Sequence, residues 1–312
     1  MKLRPEVSVI MSVYNGEEHL NECLQSICAQ TFSNFEFIIV NDASTDNTAE
    51  ILKHWQRMDS RIRLLYNLEN KERSISRNRA ITAARSPLIA VMDADDHALP
   101  TRLAVQTAFL REHPEVQILG GDMLIYGSEK RLSHPQDNDE IRAALFFDCS
   151  IFHPTTMLRK SILTKTNKWY NPLLPPTEDY GLWADLLTVK KAIFANIPET
   201  LVRYRFSDIP RPLYEEKQFR NANIVRSKIL QQLGLQASTE NIKCHIALLF
   251  CDAQALGVTP AQCALYGNKL LKANEHTLLT SPAALEAEIS RRLTQVFRVD
   301  MLQRQEHRPS QF

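Results

Sequence analysis

The chain has 312 residues with 37 Lys+Arg against 36 Asp+Glu, a net charge of +1 that excludes nucleic acid as the main partner. Its 44% hydrophobic content suffices for a full core, and 23% charge is ordinary for a globular chain. No apolar run approaches ~18 residues, and the one after the charged start covers only Val7 to Val13. That sets the expectation of a soluble cytoplasmic protein, with room for a peripheral place on the inner membrane face.

The charge is uneven. Residues 1–210 carry 24 basic against 27 acidic side chains, and residues 211–312 carry 13 against 9. Cys23, Cys28, Cys149, Cys244, Cys251 and Cys263 show no CxxC or Cys/His zinc spacing, so they read as buried thiols in a reducing compartment. Only 8 glycines occur, none in GxGxxG or GxxxxGK[ST]. A diphosphate, if bound, must be held by a metal and side chains.

Val7–Val13 reads as a first strand ending at Tyr14-Asn15-Gly16. Residues 17–30 follow as a helix with Leu20, Cys23, Leu24 and Ile27 at helical spacing. Phe35–Val40 is a second strand running into Asn41-Asp42-Ala43-Ser44-Thr45-Asp46, after which a helix carries Ile51, Leu52 and Trp55. Residues 62–66 make a third strand, 74–84 a helix, and Leu88–Met92 a short buried strand. This alternation predicts a mostly parallel α/β sheet with helices on both faces. Further on, residues 103–110 read as helix, 116–126 as a strand bent at Gly120-Gly121, and 127–149 give no clear pattern. Residues 153–159 are extended, a helix runs from Glu178 towards Lys191, and short strands are expected at 192–196 and 200–206. Pro210-Arg211-Pro212 marks a break before four helices at 213–233, 241–256, 260–273 and 282–305. The expected organisation is therefore an α/β domain over 1–210 and an all-helical C-terminal region over 211–312.

The fourth strand ends in Asp93-Ala94-Asp95-Asp96, three carboxylates within four positions. Open α/β sheets place ligands at the carboxyl ends of their strands. Carboxylates that close raise each other's pKa unless a cation sits among them, and hard oxygen ligands suit Mg2+ or Mn2+ carried with a diphosphate. The competing reading is a solvated acidic turn with Asp96 or Thr101 as helix cap, and this stretch alone leaves both open. Asp42 and Asp46 follow the second strand; a carboxylate there can accept from a pyrimidine imide N–H, or Ser44, Thr45 and Asp46 cap the next helix. Arg77 and Arg79 either steady phosphates or make surface ion pairs. Glu178-Asp179 precedes an apolar helix and alone reads as its cap. A metal site with a separate carboxylate is nevertheless the minimum set for moving a group off a diphosphate. His153 is a further candidate in the acceptor region.

Taken together, Pro-x-Val-Ser-Val-Ile-Met-Ser-Val-Tyr-Asn, Asn-Asp-Ala-Ser-Thr-Asp-Asn-Thr, Ser-Arg-Asn, Met-Asp-Ala-Asp-Asp, His-Pro-Thr and Glu-Asp-Tyr-x-Leu-Trp occur in that order. Over residues 5–206 the chain resembles the family 2 inverting glycosyltransferases with a GT-A fold. The resemblance implies that the Tyr14 region and Asp42 hold the uracil and ribose of a nucleotide sugar. It makes Asp93, Ala94 and Asp95 the DxD run, with Asp95 the direct ligand of Mn2+ or Mg2+, Asp93 nearer the ribose and sugar, and Asp96 assisting. Asp179 matches the general base, Glu178 its neighbour orienting the acceptor, and Trp183 an aromatic of the same motif on the acceptor side, with packing favoured over contact. Arg77 and Arg205 are placed with the donor, Arg205 as a diphosphate contact.

Two departures stand out. Family members commonly carry Gly just ahead of the Arg-Asn pair, where this chain has Lys71-Glu72-Arg73-Ser74, and the Gln-x-x-Arg-Trp run of processive synthases is absent. A non-processive enzyme is implied, with a UDP-sugar donor and a saccharide or lipid-linked acceptor in cell-surface glycan synthesis. The alternatives are a sugar nucleotidyltransferase and a non-catalytic nucleotide-sugar-binding protein. For the last helix, Arg291, Arg292, Arg298 and Arg304 beside the stripe Leu285, Ile289, Leu293, Val296 and Phe297 suggest packing, an anionic membrane contact, or a homodimer.

Overall fold

The computed structural model describes residues 4–206 and 212–306. Three parallel strands and their crossover helices come first: β1 (Val7–Val13), α1 (Leu20–Cys28), β2 (Phe35–Asn41), α2 (Thr48–Met58), β3 (Ile62–Tyr66) and α3 (Glu72–Ala83). The chain then returns past β1 to lay β4 (Leu88–Val91) parallel to its other edge. The sheet order is β3-β2-β1-β4-β8-β6-β9-β5, so β1 is where the winding reverses. Such a reversal opens a crevice at the strands' carboxyl ends, because successive crossovers leave on opposite sides.

Both faces of this sheet are covered, which is why β1, β2 and β4 are almost continuously apolar. Alternate side chains separate into two cores. Val9, Met11, Phe37, Ile39 and Ala90 pack with Leu20, Leu24 and Ile27 of α1. Ile10, Ile38, Val40, Ile89 and Val91 pack with Ala80 and Ile81 of α3.

The second half mixes antiparallel and parallel pairs. After β5 (His97–Ala98) and α4 (Arg102–Glu112) come β6 (Val116–Ile125), β7 (Arg131–Leu132), α5 (Asn138–Ala144), β8 (Met157–Arg159), α6 (Lys160–Thr166), α7 (Glu178–Leu187) and β9 (Ile193–Tyr204). β8 runs antiparallel to both β4 and β6. Two short strands were expected over 192–206; the structure has one, β9, whose pairing with β6 slips at Gly121, Asp122 and Met123. The irregularity hides the strand in sequence because a slipped register breaks the period-two pattern. α5 and α6 were not anticipated, since seven residues are too few to show a helical period.

The C-terminal helices are α8 (Pro212–Gln232), α9 (Thr239–Phe250), α10 (Pro260–Thr277) and α11 (Pro282–Glu306). The expected break at Pro210-Arg211 lies outside the described residues. Ile229, Leu230, Leu270, Leu285 and Ile289 join the same core as Ile10 and Ile89, so these helices extend the sheet's core. Leu285, Ile289, Leu293 and Val296 of the α11 stripe are spent on that packing, while Phe297 stays 46% exposed. Arg291 and Arg292 both bind Glu288, and Arg292 is 8% exposed and donates to the Leu248 and Leu249 carbonyls. Arg292 is therefore engaged internally, while Arg291 keeps an exposed side chain on the outer face; the side chain of Arg304 lies outside the described residues. No described helix is long and apolar enough to cross a membrane. All six cysteines are free thiols.

Gly120 sits where β6 faces Asn196, and a Cβ there would collide with the Asn196 side chain and lie 2.8 Å from Ile151 Cγ2. Asn196 cannot move aside without giving up its bonds to the Pro135 and Ser150 carbonyls. Gly120→Val is expected to cost about 1–3 kcal/mol by overpacking, read as a lower midpoint in urea with an unchanged slope.

Candidate active site

Tyr14, Asp42 and Asp93 follow the ends of β1, β2 and β4, three adjacent strands, and the topology brings them to one crevice. Asp42 is 2% exposed and accepts from Asn67 Nδ2 and from the Lys71 amide at 2.9 Å, while its own amide is tied to the Val13 carbonyl. Tyr14 is half exposed. Asp46 takes the capping role: it accepts from the amides of Thr48 and Glu17 at 3.0 and 3.1 Å, which fixes the turn after β1 to the start of α2.

The three carboxylates after β4 differ in state. Burial raises the Asp93 carboxyl, but Arg77 Nη2 at 2.6 Å from Oδ1 and His153 Nδ1 at 3.6 Å from Oδ2 outweigh it and hold Asp93 well below the usual range. Burial, then the charges of Asp93 and Asp95, push Asp96 up to about 9, so it is a neutral acid at pH 7. Its Oδ1 accepts the Arg205 amide at 2.9 Å and its Oδ2 makes no hydrogen bond. Asp95 is raised by burial and by Asp93, and among the described residues it has no salt bridge.

Arg77 belongs neither to the surface nor to a free phosphate site. It is 6% exposed, and its two terminal nitrogens reach Asp93 Oδ1 at 2.6 Å and Glu178 Oε1 at 2.5 Å. One guanidinium thus joins the turn after β4 to the start of α7. Glu178 is 2% exposed with Oε2 unpartnered, and Arg73 Nε lies 3.8 Å from Oε1. Asp179 follows, its Oδ1 accepting the Tyr180 amide at 2.8 Å. Burial is the main cause raising its carboxyl, the Glu178 charge adds to it, and His153 opposes. The N-cap position itself is Thr177, so the capping reading of Glu178-Asp179 does not hold. His153 Nε2 is 3.0 Å from the Tyr170 hydroxyl, which puts this imidazole between Tyr170 and Asp93.

Arg205 lies against the acidic turn: Nε donates to the Asp95 carbonyl at 3.1 Å, Nη2 pairs with Glu22, and the guanidinium lies 3.8 Å over the Tyr126 ring. Trp183 is fully buried in the core, where it packs, the role favoured for it over acceptor contact. Arg102 was missed in sequence. It is fully buried, its Nη2 donating to the Val91 carbonyl at 2.7 Å, and burial lowers it to about 10 against the opposing pull of Asp96 and Asp93. Nothing in Thr101-Arg102-Leu103 distinguishes it from an exposed helix-start arginine. The Gly expected ahead of Arg-Asn is replaced in kind, because Glu72 adopts φ 65°, the left-handed region glycine favours.

No three His, Cys, Asp or Glu side chains among the described residues cluster as a metal cage. A divalent ion carried by a diphosphate does not need one, since one or two carboxylates and the phosphates complete its shell. Asp95, raised by its neighbour and paired with no cation, fits that role; Asp93 has both oxygens facing Arg77 and His153 and fits it less well. A cavity of about 570 Å³ between α9 and α10 contains none of these residues.

Comparison with known proteins gives the chain's family and fold relatives. Residues 8–167 match the family model of glycosyl transferase family 2. The chain is 31% identical to the O-antigen biosynthesis glycosyltransferase WbnJ of Escherichia coli over 66% of this chain and 81% of that protein. Its fold is similar to S. aureus TarS 1-349, solved in complex with UDP-GlcNAc, with TM-score 0.64, 18% identity and 97% and 93% of the two chains covered. It is also similar to the mannosyltransferase PcManGT of Pyrobaculum calidifontis, solved with GDP-Man and Mn2+, with TM-score 0.53, 19% identity and 94% and 88% covered.

Replacing Arg77 by Met strands the buried Glu178 carboxylate and the partly buried Asp93. The expected loss is about 3–5 kcal/mol of stability at pH 7, measured by urea unfolding. Because Asp93 is depressed in the folded protein, its contribution is present above the unfolded carboxylate range and lost as pH falls towards its folded value. The gap between wild type and Arg77→Met should therefore narrow below about pH 4.

Proposed function

The chain belongs to glycosyl transferase family 2, and from that footing we propose that it moves one sugar from a UDP-sugar to a hydroxyl of a saccharide or lipid-linked acceptor, inverting the anomeric carbon. What carries the reading is the Arg77 bridge. It sets the acidic turn at the end of β4 against the Glu178-Asp179 pair, donor machinery beside a candidate base.

In this reading Asp42, held by Asn67 and the Lys71 amide, accepts the imide N–H of the base, and Tyr14 borders the same end of the crevice. Asp93, kept ionised by Arg77 and His153, accepts from ribose and sugar hydroxyls. Asp95 would hold Mn2+ or Mg2+, whose chemistry there is to stabilise charge on the departing diphosphate. Arg205, already against the Asp95 carbonyl, adds a fixed positive charge on the diphosphate side.

On the other side of the sugar Asp179 takes the proton of the attacking hydroxyl. Its raised carboxyl makes it a stronger base than an exposed aspartate, and Glu178 accepts a further acceptor hydroxyl through its unpartnered Oε2. Attack opposite the leaving diphosphate gives inversion. The synthesis of a cell-surface glycan is the setting proposed, by likeness to WbnJ.

Asp179→Asn should lower transfer by about 10²–10⁴-fold while UDP affinity stays unchanged in calorimetry; equal turnover would remove Asp179 as the base. In the wild type, kcat/KM should fall towards acid with a limb above the ordinary aspartate value, since a raised carboxyl protonates at higher pH. Asp95→Ala should weaken UDP binding only when Mn2+ is present. Affinity indifferent to both metal and substitution would refute the metal site.

A further inference from the structure

We propose that Arg73 selects an acceptor that carries a negative charge, a carboxylate or a phosphate, close to the hydroxyl being glycosylated. The proposal rests on the transferase reading and names the acceptor class for that same site.

Arg73 stands one helical turn before Arg77 on α3, so the two side chains share a face. Their situations differ. Arg77 is buried and spends its guanidinium on Asp93 and Glu178. Arg73 has a side chain 42% exposed at the outer end of that bridge, with Nε 3.8 Å from Glu178 Oε1 and no hydrogen bond among the described residues. Glu178 Oε1 already accepts from Arg77 at 2.5 Å, while the buried Oε2 stays unpartnered. Neutralising the buried acids is thus accomplished without Arg73.

A guanidinium offers five N–H donors in a planar fork that matches carboxylate and phosphate oxygens. Here Nε lies 3.8 Å from Glu178 Oε1, and among the described residues the guanidinium makes no hydrogen bond, beside the residue next to the proposed base. The donor's diphosphate has other provision at Asp95 and Arg205. An anion on the acceptor would meet Arg73 while a hydroxyl of the same sugar meets Glu178 Oε2 and Asp179. The local backbone supports a placed side chain: Glu72, just before Arg73, is held at φ 65°, which a non-glycine residue keeps only where its surroundings enforce it.

The test uses the full chain loaded with UDP and Mn2+ and measures calorimetric binding of methyl glucoside, methyl glucuronide, glucose 6-phosphate and inorganic phosphate. One anionic sugar should bind at least ~10-fold tighter than methyl glucoside, as expected for a charge-assisted hydrogen-bonded pair. Arg73→Gln should erase that preference with UDP affinity and thermal midpoint unchanged, and Arg73→Lys should keep part of it. Whether glucuronide or the phosphate sugar gains tells which anion the acceptor bears. Equal binding of the three sugars, or a preference that survives in Arg73→Gln, overturns the proposal. So does inorganic phosphate binding as tightly as both sugars with the same dependence on Arg73, because the site would then read a bare anion. Failure of UDP itself to bind with Mn2+ is a separate readout and would sink the donor assignment, and this inference with it.

Discussion

A single buried guanidinium organises this molecule's site. Arg77 leaves α3 and lies between Asp93, after β4, and Glu178, at the start of α7, segments far apart in the chain. A buried charge is tolerated only when paired and hydrogen-bonded, so none of the three can shift without exposing the other two to an unmet electrostatic cost. The spacing between the two acidic motifs is thereby set by one rigid planar group. His153 and Tyr170 close the same network from the β8 side: the imidazole faces Asp93 and bonds the Tyr170 hydroxyl, and the Tyr170 ring lies 5.9 Å from the Arg77 guanidinium.

That network also explains how adjacent carboxylates come to differ. Asp93 has the Arg77 guanidinium and the His153 imidazole beside it and is held low; Asp96 is pushed up by burial and two negative neighbours. Asp95 is also raised, by burial and by the Asp93 charge. Separating the states of like groups by environment is how one short turn supplies several roles. Arg102 beneath the turn holds the Val91 carbonyl and adds a buried positive charge that limits the repulsion above it.

The C-terminal helices contribute by bracing α7, which carries Glu178 and Asp179. Asn221 of α8 donates to the Pro175 carbonyl just ahead of α7, and Arg226 donates to the Phe147 carbonyl near Cys149. His245 of α9 bonds Tyr266 and the Phe146 carbonyl, with burial and nearby arginines keeping the imidazole neutral at about 3. Arg142 of α5 reaches the Leu279 and Leu187 carbonyls and so ties α10's end to the end of α7. These polar contacts sit inside an apolar core continuous with the sheet. The helices therefore position Asp179 from behind, whatever else their outer surfaces do.

The alternating pattern over residues 7–92 determined the parallel half of the sheet to within a few residues, because strand and helix periods are local and both faces of these strands are buried. The ordered motifs likewise placed Asp42, Asp93 and Asp179 at element ends, since acids and turn residues interrupt apolar runs visibly. Tertiary structure alone decided what those residues touch. That Arg77 is interior, that Trp183 is fully buried, that Arg102 lies under the acids and that Glu72 keeps a glycine-like backbone all depend on neighbours brought together from distant parts of the chain. Charge state and partnership are properties of that assembled neighbourhood, and a one-dimensional pattern records residue type without the distances that set them.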